Sequence, residues 1–143
     1  MSEAAELREL CNRFFDAIEN RDMGVIADCL HPGLQFWVNF TGQTKGRADM
    51  LEAIEKGYAV HRRRLYNDRR IRPFGGGFLM QYTCEITRHD GSKSALWAAV
   101  VARVRDGKIA RVDEYMDAGK FAAPPARGEA EDASAAVGGE ADA

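Results

Sequence analysis

The order of the sequence patterns predicts an α+β domain, in which a strongly bent antiparallel sheet is covered on one face by helices. Helical spacing of apolar residues is confined to about the first sixty residues, and long β-type runs follow it. Asp-Gly pairs stand twice between such runs, in HDGS (89–92) and DGK (106–108), and this pair is a strong hairpin signal. The predicted order is helix, helix, strand, helix and then a meander of four strands.

The first two helices are predicted from apolar spacing and from their end signals. Ser2 is a candidate N-terminal cap for the first helix, which is expected to end near Asn20. The second helix is expected to follow Asp22, and the HPG sequence at 31–33 should stop it. The apolar faces are Leu7, Leu10, Cys11, Phe14 and Ile18 in the first helix, and Met23, Ile26, Ala27 and Leu30 in the second.

The first strand is predicted at LQFWVNF, Leu34 to Phe40, because this run is short, aromatic and β-branched. TGQTKGR (41–47) is expected to be a loop, and a third helix follows with an apolar face that includes Ile54 and Tyr58. The remaining strands are predicted at 65–72, 78–88, 94–105 and 109–117. The sheet therefore occupies most of the second half of the chain.

Composition places the chain among ordinary globular proteins. Its 143 residues suit one domain, and its net charge of −2 does not favour nucleic acid or an anionic membrane surface as partner. We expect no membrane span and no secretory signal, because apolar runs are short and the first ten residues are acidic and amphipathic. The three cysteines are odd in number and widely spaced, without the spacing of a metal-binding or redox pair. We therefore predict reduced core residues and a cytoplasmic protein.

The last 22 residues differ in character from the rest of the chain. Residues 122–143 are rich in Ala, Gly, Pro and acids and contain no aromatic residue. Such a segment cannot bury enough apolar surface to offset its ordering entropy. We therefore predict a folded domain over residues 1–121 and a flexible acidic tail over 122–143.

Two segments resemble the nuclear transport factor 2-like superfamily, and more narrowly its SnoaL-like and ketosteroid-isomerase-like branch. They are KGRADMLEAI (45–54), which opens the third helix, and DGKIARVDEYMDAGKF (106–121), which closes the fold. The resemblance covers about residues 5–121. It implies a cone-shaped sheet that is wrapped around three N-terminal helices and encloses a deep, mostly apolar pocket. Members include isomerases, cyclases, dehydratases, epoxide hydrolases and binding proteins, so fold alone does not fix the function.

Glu114 is the strongest catalytic candidate. In RVDEYMD (111–117) a period of two places Val112, Glu114 and Met116 on one face, so a single carboxylate stands between apolar neighbours. A carboxylate that loses solvation has a raised pKa, which suits it to proton transfer near neutral pH. The alternative explanation is an ion pair with an arginine such as Arg13, or contact with water at the mouth of the pocket.

The resemblance adds Asn39 and Glu85 as catalytic candidates. In the limonene-epoxide-hydrolase pattern Asn39 matches a water-holding asparagine, Trp37 takes the place of a tyrosine, and Glu85 and Glu114 match two carboxylates. The arginine that bridges them is Thr83 here. A register shift of one residue would instead turn Glu85 towards solvent. Asn39 could instead be a strand-end residue that satisfies a turn.

Two other catalytic patterns of the superfamily are missing. The steroid-isomerase tyrosine is Phe14 here, its base position falls on Val38 or Asn39, and its protonated acid falls near Val100. The scytalone-dehydratase pattern needs histidines deep in the pocket. None is expected there, because the histidines lie at a helix end, beside an arginine run and in a hairpin turn: His31, His61 and His89.

Six side chains are predicted to contact the substrate, either as pocket aromatics or as neighbours of Glu114. They are Phe14, Trp37, Tyr66, Trp97, Val112 and Met116. The tryptophans and Tyr66 are equally compatible with core or dimer-face positions. The histidines lack ligand spacing, so we predict no metal and no cofactor. The arginine-rich run HRRRLYNDRR (61–70) could dock an anionic group of the substrate or nucleic acid, but the acidic residues elsewhere in the chain favour a solvated, ion-paired face.

These patterns favour a cofactor-independent lyase or isomerase that acts by acid–base catalysis on an apolar aromatic or polyketide-like molecule. The first alternative is an epoxide-hydrolase-like enzyme that uses Asn39, Glu85 and Glu114. The second is a non-catalytic ligand-binding or dimerisation module. LWAAVVARV (96–104) is apolar on both faces, and we therefore expect a homodimer through the convex face of the sheet.

Overall fold

A computed structural model describes residues 1–121 of the chain, and the predicted tail at 122–143 lies outside the described residues. The domain has the predicted α+β architecture, with three N-terminal helices against one six-stranded sheet. The helices are α1 (Glu3–Glu19), α2 (Met23–Cys29), α3 (Arg47–Val60) and the short α4 (Ala118–Phe121). The strands are β1 (Leu30–Val38), β2 (Thr44–Gly46), β3 (His61–Phe74), β4 (Gly77–Arg88), β5 (Lys93–Arg105) and β6 (Lys108–Met116).

The ends of the first two helices follow the predicted chemistry. The side chain of Ser2 accepts a hydrogen bond from the backbone N–H of Ala5 at 3.1 Å, and that of Asp22 accepts one from Val25 at 3.1 Å. Each cap satisfies a backbone donor that the first helical turn leaves free. The prediction for the segment after α2 was wrong in detail, because β1 begins at Leu30 and includes the HPG sequence.

The sheet has the order β2-β1-β6-β5-β4-β3, and all neighbouring strands are antiparallel except β1 and β6. The parallel pair follows from the connection, because helix α3 and four strands separate β1 from β6 in the chain. β5 and β6 are joined by the second Asp-Gly turn, where Asp106 and Gly107 both have positive φ angles of 55° and 72°. A two-residue turn of this kind matches the twist of the flanking strands.

The core lies between α1 and the concave face of the sheet. Alternate residues of β4 and β5 point towards the helices, including Tyr82, Cys84, Leu96 and Val100. All three cysteines, Cys11, Cys29 and Cys84, are buried and free, as the sequence predicted. In the described part of the chain, no helix is long and apolar enough to cross a membrane.

Candidate functional site

A cavity of about 540 Å³ opens between α1, α3 and the concave face of the sheet. Its wall is mostly apolar and includes Phe14, Phe15, Phe36, Met50, Ile54, Phe78, Val100, Ile109, Val112 and Met116. Phe40 and Val60 also line the cavity and are exposed. Polar side chains enter the wall from β3, β4 and β6. The size lies within the range of small-molecule sites.

Glu114 is half-buried in the wall of this cavity. Strand β6 is central in the sheet, and Glu114 pairs with Val38 of β1 and Val100 of β5. The hydroxyl group of Tyr82 donates a hydrogen bond to Oε2 of Glu114 at 3.1 Å. Burial raises the pKa of the Glu114 carboxyl, and the nearby Arg64 and the Tyr82 hydrogen bond reduce that rise.

Tyr66 and Arg64 belong to the cavity wall near Glu114, and Tyr82 packs against Tyr66 without lining the wall. The ring of Tyr82 lies 5.3 Å from that of Tyr66, and the guanidinium of Arg64 lies 5.4 Å from the centre of the Tyr66 ring. Burial raises the pKa of both tyrosines, and the negative charge of Glu114 adds to this effect. Both phenols are therefore neutral near pH 7 and retain a proton to donate.

His61 and Arg88 form a second polar part of the wall. They are paired across β3 and β4, and both are buried. The guanidinium of Arg88 donates to the hydroxyl oxygen of Ser94 at 2.7 Å. Burial lowers the pKa of His61, and the positive charges of Arg64 and Arg88 lower it further. His61 is therefore a neutral imidazole at pH 7.

The placement of His61 and Arg64 corrects the interpretation of the arginine-rich run. His61 and Arg64 line the cavity, so the run is not only a solvated face. The expectation that no histidine lies in the pocket was therefore wrong. The pairing of β3 with β4 shifts between His61 and Arg63, so strict alternation fails at the start of β3. Arg21 holds this irregular segment by donating to the carbonyl oxygens of His61 at 3.0 Å and Arg62 at 2.6 Å.

Four of the six predicted contact residues lie in the cavity wall, namely Phe14, Tyr66, Val112 and Met116. Trp37 and Trp97 lie on the opposite face of the sheet, which corrects their assignment to the pocket. The Trp37 ring packs on Tyr115 at 5.2 Å, and Trp97 is 76% exposed. Both tryptophans have odd residue numbers, and in their strands it is the even-numbered residues that face the helices.

Asn39 does not face the cavity, so its predicted catalytic position was wrong. Its side-chain amide donates to the carbonyl oxygen of Met116 at 3.1 Å, and its side-chain oxygen accepts from the Met116 N–H at 3.0 Å. These two bonds fix the end of β1 against the end of β6. Asn39 thus completes the parallel strand pair.

Glu85 was also predicted in the pocket, and the structure places it on the outer face. Its neighbours Cys84 and Ile86 point inward and are fully buried, whereas the Glu85 side chain is 36% exposed and lies 3.7 Å from the ammonium group of Lys93. Glu85 and Glu114 therefore lie on opposite faces of the sheet. Among residues 1–121, no group of three or more His, Cys, Asp or Glu side chains could hold a metal ion.

The fold and the cavity define an α+β protein with a curled sheet and a mostly apolar site, and sequence comparison identifies its family. Residues 11–112 match the model of the SnoaL-like domain, so the chain belongs to the SnoaL-like domain family. None of the curated proteins matches this chain.

Solved structures show the same fold at low sequence identity. A candidate polyketide cyclase from Xanthomonas campestris pv. campestris is 19% identical, with a TM-score of 0.77 over 84% of this chain and 96% of that one. A candidate hydroxylase from Streptomyces galilaeus is 16% identical, with a TM-score of 0.74 over 83% of each chain. An LEH-like epoxide hydrolase from M. tuberculosis is 19% identical, with a TM-score of 0.70 over 83% of this chain and 88% of that one.

Proposed function

We propose that this protein is a cofactor-independent enzyme that catalyses an acid–base lyase or isomerase reaction on an apolar substrate in the cavity. The observation that carries the proposal is the half-buried carboxylate of Glu114, which lines a mostly apolar cavity and accepts one hydrogen bond from Tyr82. A raised pKa brings such a carboxylate closer to the pH at which it can both accept and return a proton. A positioned acid–base group of this kind contributes roughly 10²–10⁴-fold to a rate.

Glu114 is assigned the role of the group that moves the proton. The Tyr82 hydroxyl holds Oε2, and Oε1 is the atom that we assign to the substrate. In both reactions Glu114 would first remove a proton from a carbon of the substrate. In an isomerisation the double bond would shift, and Glu114 would return the proton to another carbon. In an elimination a bond to a leaving group would break as the carbon–hydrogen electrons form a double bond. Neither reaction needs more than a base, an orienting donor and a site that excludes water.

The substrate is proposed to be aromatic or polyketide-like. The cavity of about 540 Å³ would accept a molecule of two or three fused rings. The aromatic side chains of Phe14, Phe36 and Tyr66 offer flat surfaces for such rings. Candidate polyketide cyclases are among the proteins of the same fold, which agrees with a ring-shaped ligand.

Elimination of 5-nitrobenzisoxazole tests the proposed role of Glu114. A carboxylate removes the proton on C3, the carbon–nitrogen triple bond forms, the N–O bond breaks, and the oxygen leaves as a coloured nitrophenolate. We expect Glu114→Gln to lower the rate by roughly 10²–10⁴-fold. Glu85→Gln is the matched control and should stay within about twofold of the wild type, because Glu85 faces outward. Equal rates for wild type and Glu114→Gln would reject the proposal.

We also propose that the protein is a homodimer through the convex face of the sheet. Trp97 and Tyr115 are exposed on that face at 76% and 48%, and Trp37 packs beside Tyr115. Exposed aromatic side chains of this kind are enriched in protein interfaces. Light scattering should give the mass of two chains for the wild type and of one chain for Trp97→Arg. A wild-type mass of one chain would reject the dimer.

The cytoplasm is the proposed location. The three cysteines are free and buried, and none of them forms the disulfide bonds that are common in secreted proteins. Fractionation of the native host should recover the protein with cytoplasmic markers, and its recovery in the extracellular fraction would contradict the proposal.

A further inference from the structure

Two apolar side chains of the cavity wall are exposed to solvent. Phe40 and Val60 line the cavity, and they are 52% and 62% exposed. A wall residue that is more than half exposed lies where the cavity opens, so we call these two the mouth residues. Single exposed apolar side chains are common on protein surfaces, but these two come from separate elements and share one opening. The acid–base function proposed for Glu114 does not require them.

Hydrogen bonds hold the backbone near both mouth residues. Phe40 lies in the turn after β1, where the N–H of Gly42 donates to the carbonyl oxygen of Val38 at 3.0 Å. Val60 is the last residue of α3. That end of α3 is attached to α1, because the hydroxyl group of Tyr58 donates to a backbone carbonyl oxygen of α1 at 2.8 Å. The positions of the mouth residues are therefore set before a ligand binds, which lowers the entropy cost of binding.

Helix α3 connects the mouth to the interior of the cavity. None of the residues of α3 is buried. Met50 and Ile54 are half-buried and Ala53 is exposed, and all three line the cavity. A ligand that lies along α3 would bury apolar surface that the protein alone leaves partly open to solvent, and such burial is favourable.

The interior of the cavity is aromatic, whereas the path along α3 is aliphatic. The aromatic side chains of Phe14, Tyr66 and Phe78 line the cavity and are buried. Their flat surfaces suit a ring system. The aliphatic side chains of α3 include a methionine, which adapts to irregular apolar shapes and suits a flexible alkyl chain. A ligand with a ring at one end and a chain at the other would match both parts.

We propose that the substrate carries an alkyl chain that runs along α3 and leaves the cavity between Phe40 and Val60, while its ring system lies beside Glu114. The mouth residues then determine specificity, because they bury the outer part of the chain. This inference rests on the proposed use of the cavity as the substrate site, but it does not depend on catalysis by Glu114. It narrows the substrate class to aromatic or polyketide-like molecules with an alkyl substituent.

A series of ligands tests the proposal on the full-length protein. The series is 2-naphthol and its 6-ethyl, 6-butyl and 6-hexyl derivatives, which differ only in the length of the chain. Fluorescence titration at neutral pH measures their dissociation constants. We expect the wild-type affinity to rise roughly threefold for each methylene that is buried. A total gain of less than about twofold from 2-naphthol to the hexyl derivative, or no measurable binding of any member, would overturn the proposal.

Variants then assign the outer part of the chain to the mouth residues. Phe40→Ser and Val60→Ser should each lower the affinity for the hexyl derivative by about fivefold or more and leave that for 2-naphthol within about twofold. Both residues are exposed, so serine leaves the core intact. Ala59→Ser is the matched control, because Ala59 is exposed beside Val60 and lies outside the cavity wall. Phe40→Leu keeps an apolar side chain and should retain most of the affinity. An unchanged affinity for the hexyl derivative in both serine variants, or an equal loss for both ligands, would overturn the assignment.

Glu114→Gln separates this proposal from the catalytic one. The variant should keep the dependence of affinity on chain length, while turnover of 5-nitrobenzisoxazole falls. Turnover that depends on Glu114 in a protein without dependence on chain length would reject the alkyl-chain proposal alone. Dependence on chain length without such turnover would support the alkyl-chain proposal and reject the catalytic one.

Light scattering of Phe40→Ser tests whether a second chain covers the mouth instead of the substrate. We expect the variant to have the same mass as the wild type. A lower mass would assign the mouth residues to an interface between subunits and would overturn the proposal.

Discussion

The two faces of the sheet carry the same kinds of residue in very different surroundings. Glu114 faces the cavity, where burial raises its pKa and Tyr82 is its hydrogen-bond donor. Glu85 faces outward, beside the ammonium group of Lys93. The tryptophans lie on the outer face, and the tyrosines Tyr66 and Tyr82 lie on the inner one. The chemistry of a carboxylate here is decided by the face on which its strand position falls.

The largest expected effect is on stability, at two neighbouring residues of β4. Ile86 is fully buried in the hydrophobic core, whereas Glu85 is half-buried on the outer face. Ile86→Ala should lower the free energy of unfolding by about 2–5 kcal/mol, because it removes buried methyl groups and leaves a cavity. Glu85→Ala should change it by less than about 1 kcal/mol. Urea unfolding measures both values, and similar losses would contradict the assigned strand register.

A smaller loss is expected at Asn39. Asn39→Ala removes two hydrogen bonds to the backbone of Met116, and we expect a loss of about 1–2 kcal/mol in urea unfolding. The elimination rate at saturating 5-nitrobenzisoxazole should stay within about twofold of the wild type, since Asn39 lies outside the cavity wall. A fall in rate as large as that of Glu114→Gln would instead support a catalytic role for Asn39.

The smallest expected effect is a rise with pH in the stability of Glu114→Gln relative to the wild type. A carboxyl whose pKa is raised by folding favours the native state at low pH and loses that contribution as pH rises through its folded pKa. Glu114→Gln cannot ionise, so its stability relative to the wild type should increase from pH 4.5 to pH 8. The lowered pKa of His61 affects both proteins equally and cancels in the difference. Urea unfolding across this range, with Glu85→Gln as control, measures the change. A difference that falls with pH would contradict the raised pKa.

Much of the fold could be predicted from local signals in the sequence. Ser2 and Asp22 cap helices as expected, and the Asp-Gly pairs lie in the turns after β4 and β5. The start of β1 was missed because HPG is typical of a helix end. Leu30 pairs with Ile109 on the far side of an irregular stretch that reaches to Gln35. Such an irregular stretch has no local signature.

The site was predictable only in part. Val112, Glu114 and Met116 share the inner face, as the period of two in RVDEYMD indicates. Glu85 was placed inward by alignment, although Tyr82, Cys84 and Ile86 form the apolar alternation of its strand. His61 and Arg64 were missed because a register shift precedes them and because arginine runs are usually solvated. Arg64 and Tyr66 are two positions apart in one strand and therefore lie on the same face. This spacing was the sequence signal that could have placed Arg64 in the cavity wall.

The proposed function depends on the raised pKa of Glu114, and a titration of glutamate carboxyl groups labelled with ¹³C measures that pKa. We expect one carboxyl resonance that titrates above the ordinary range of glutamate, and this resonance should be absent in Glu114→Gln and present in Glu85→Gln. Tyr82→Phe should move this titration to still higher pH, because the Tyr82 hydrogen bond lowers the pKa of Glu114. A spectrum in which every glutamate titrates in the ordinary range would contradict the raised pKa of Glu114.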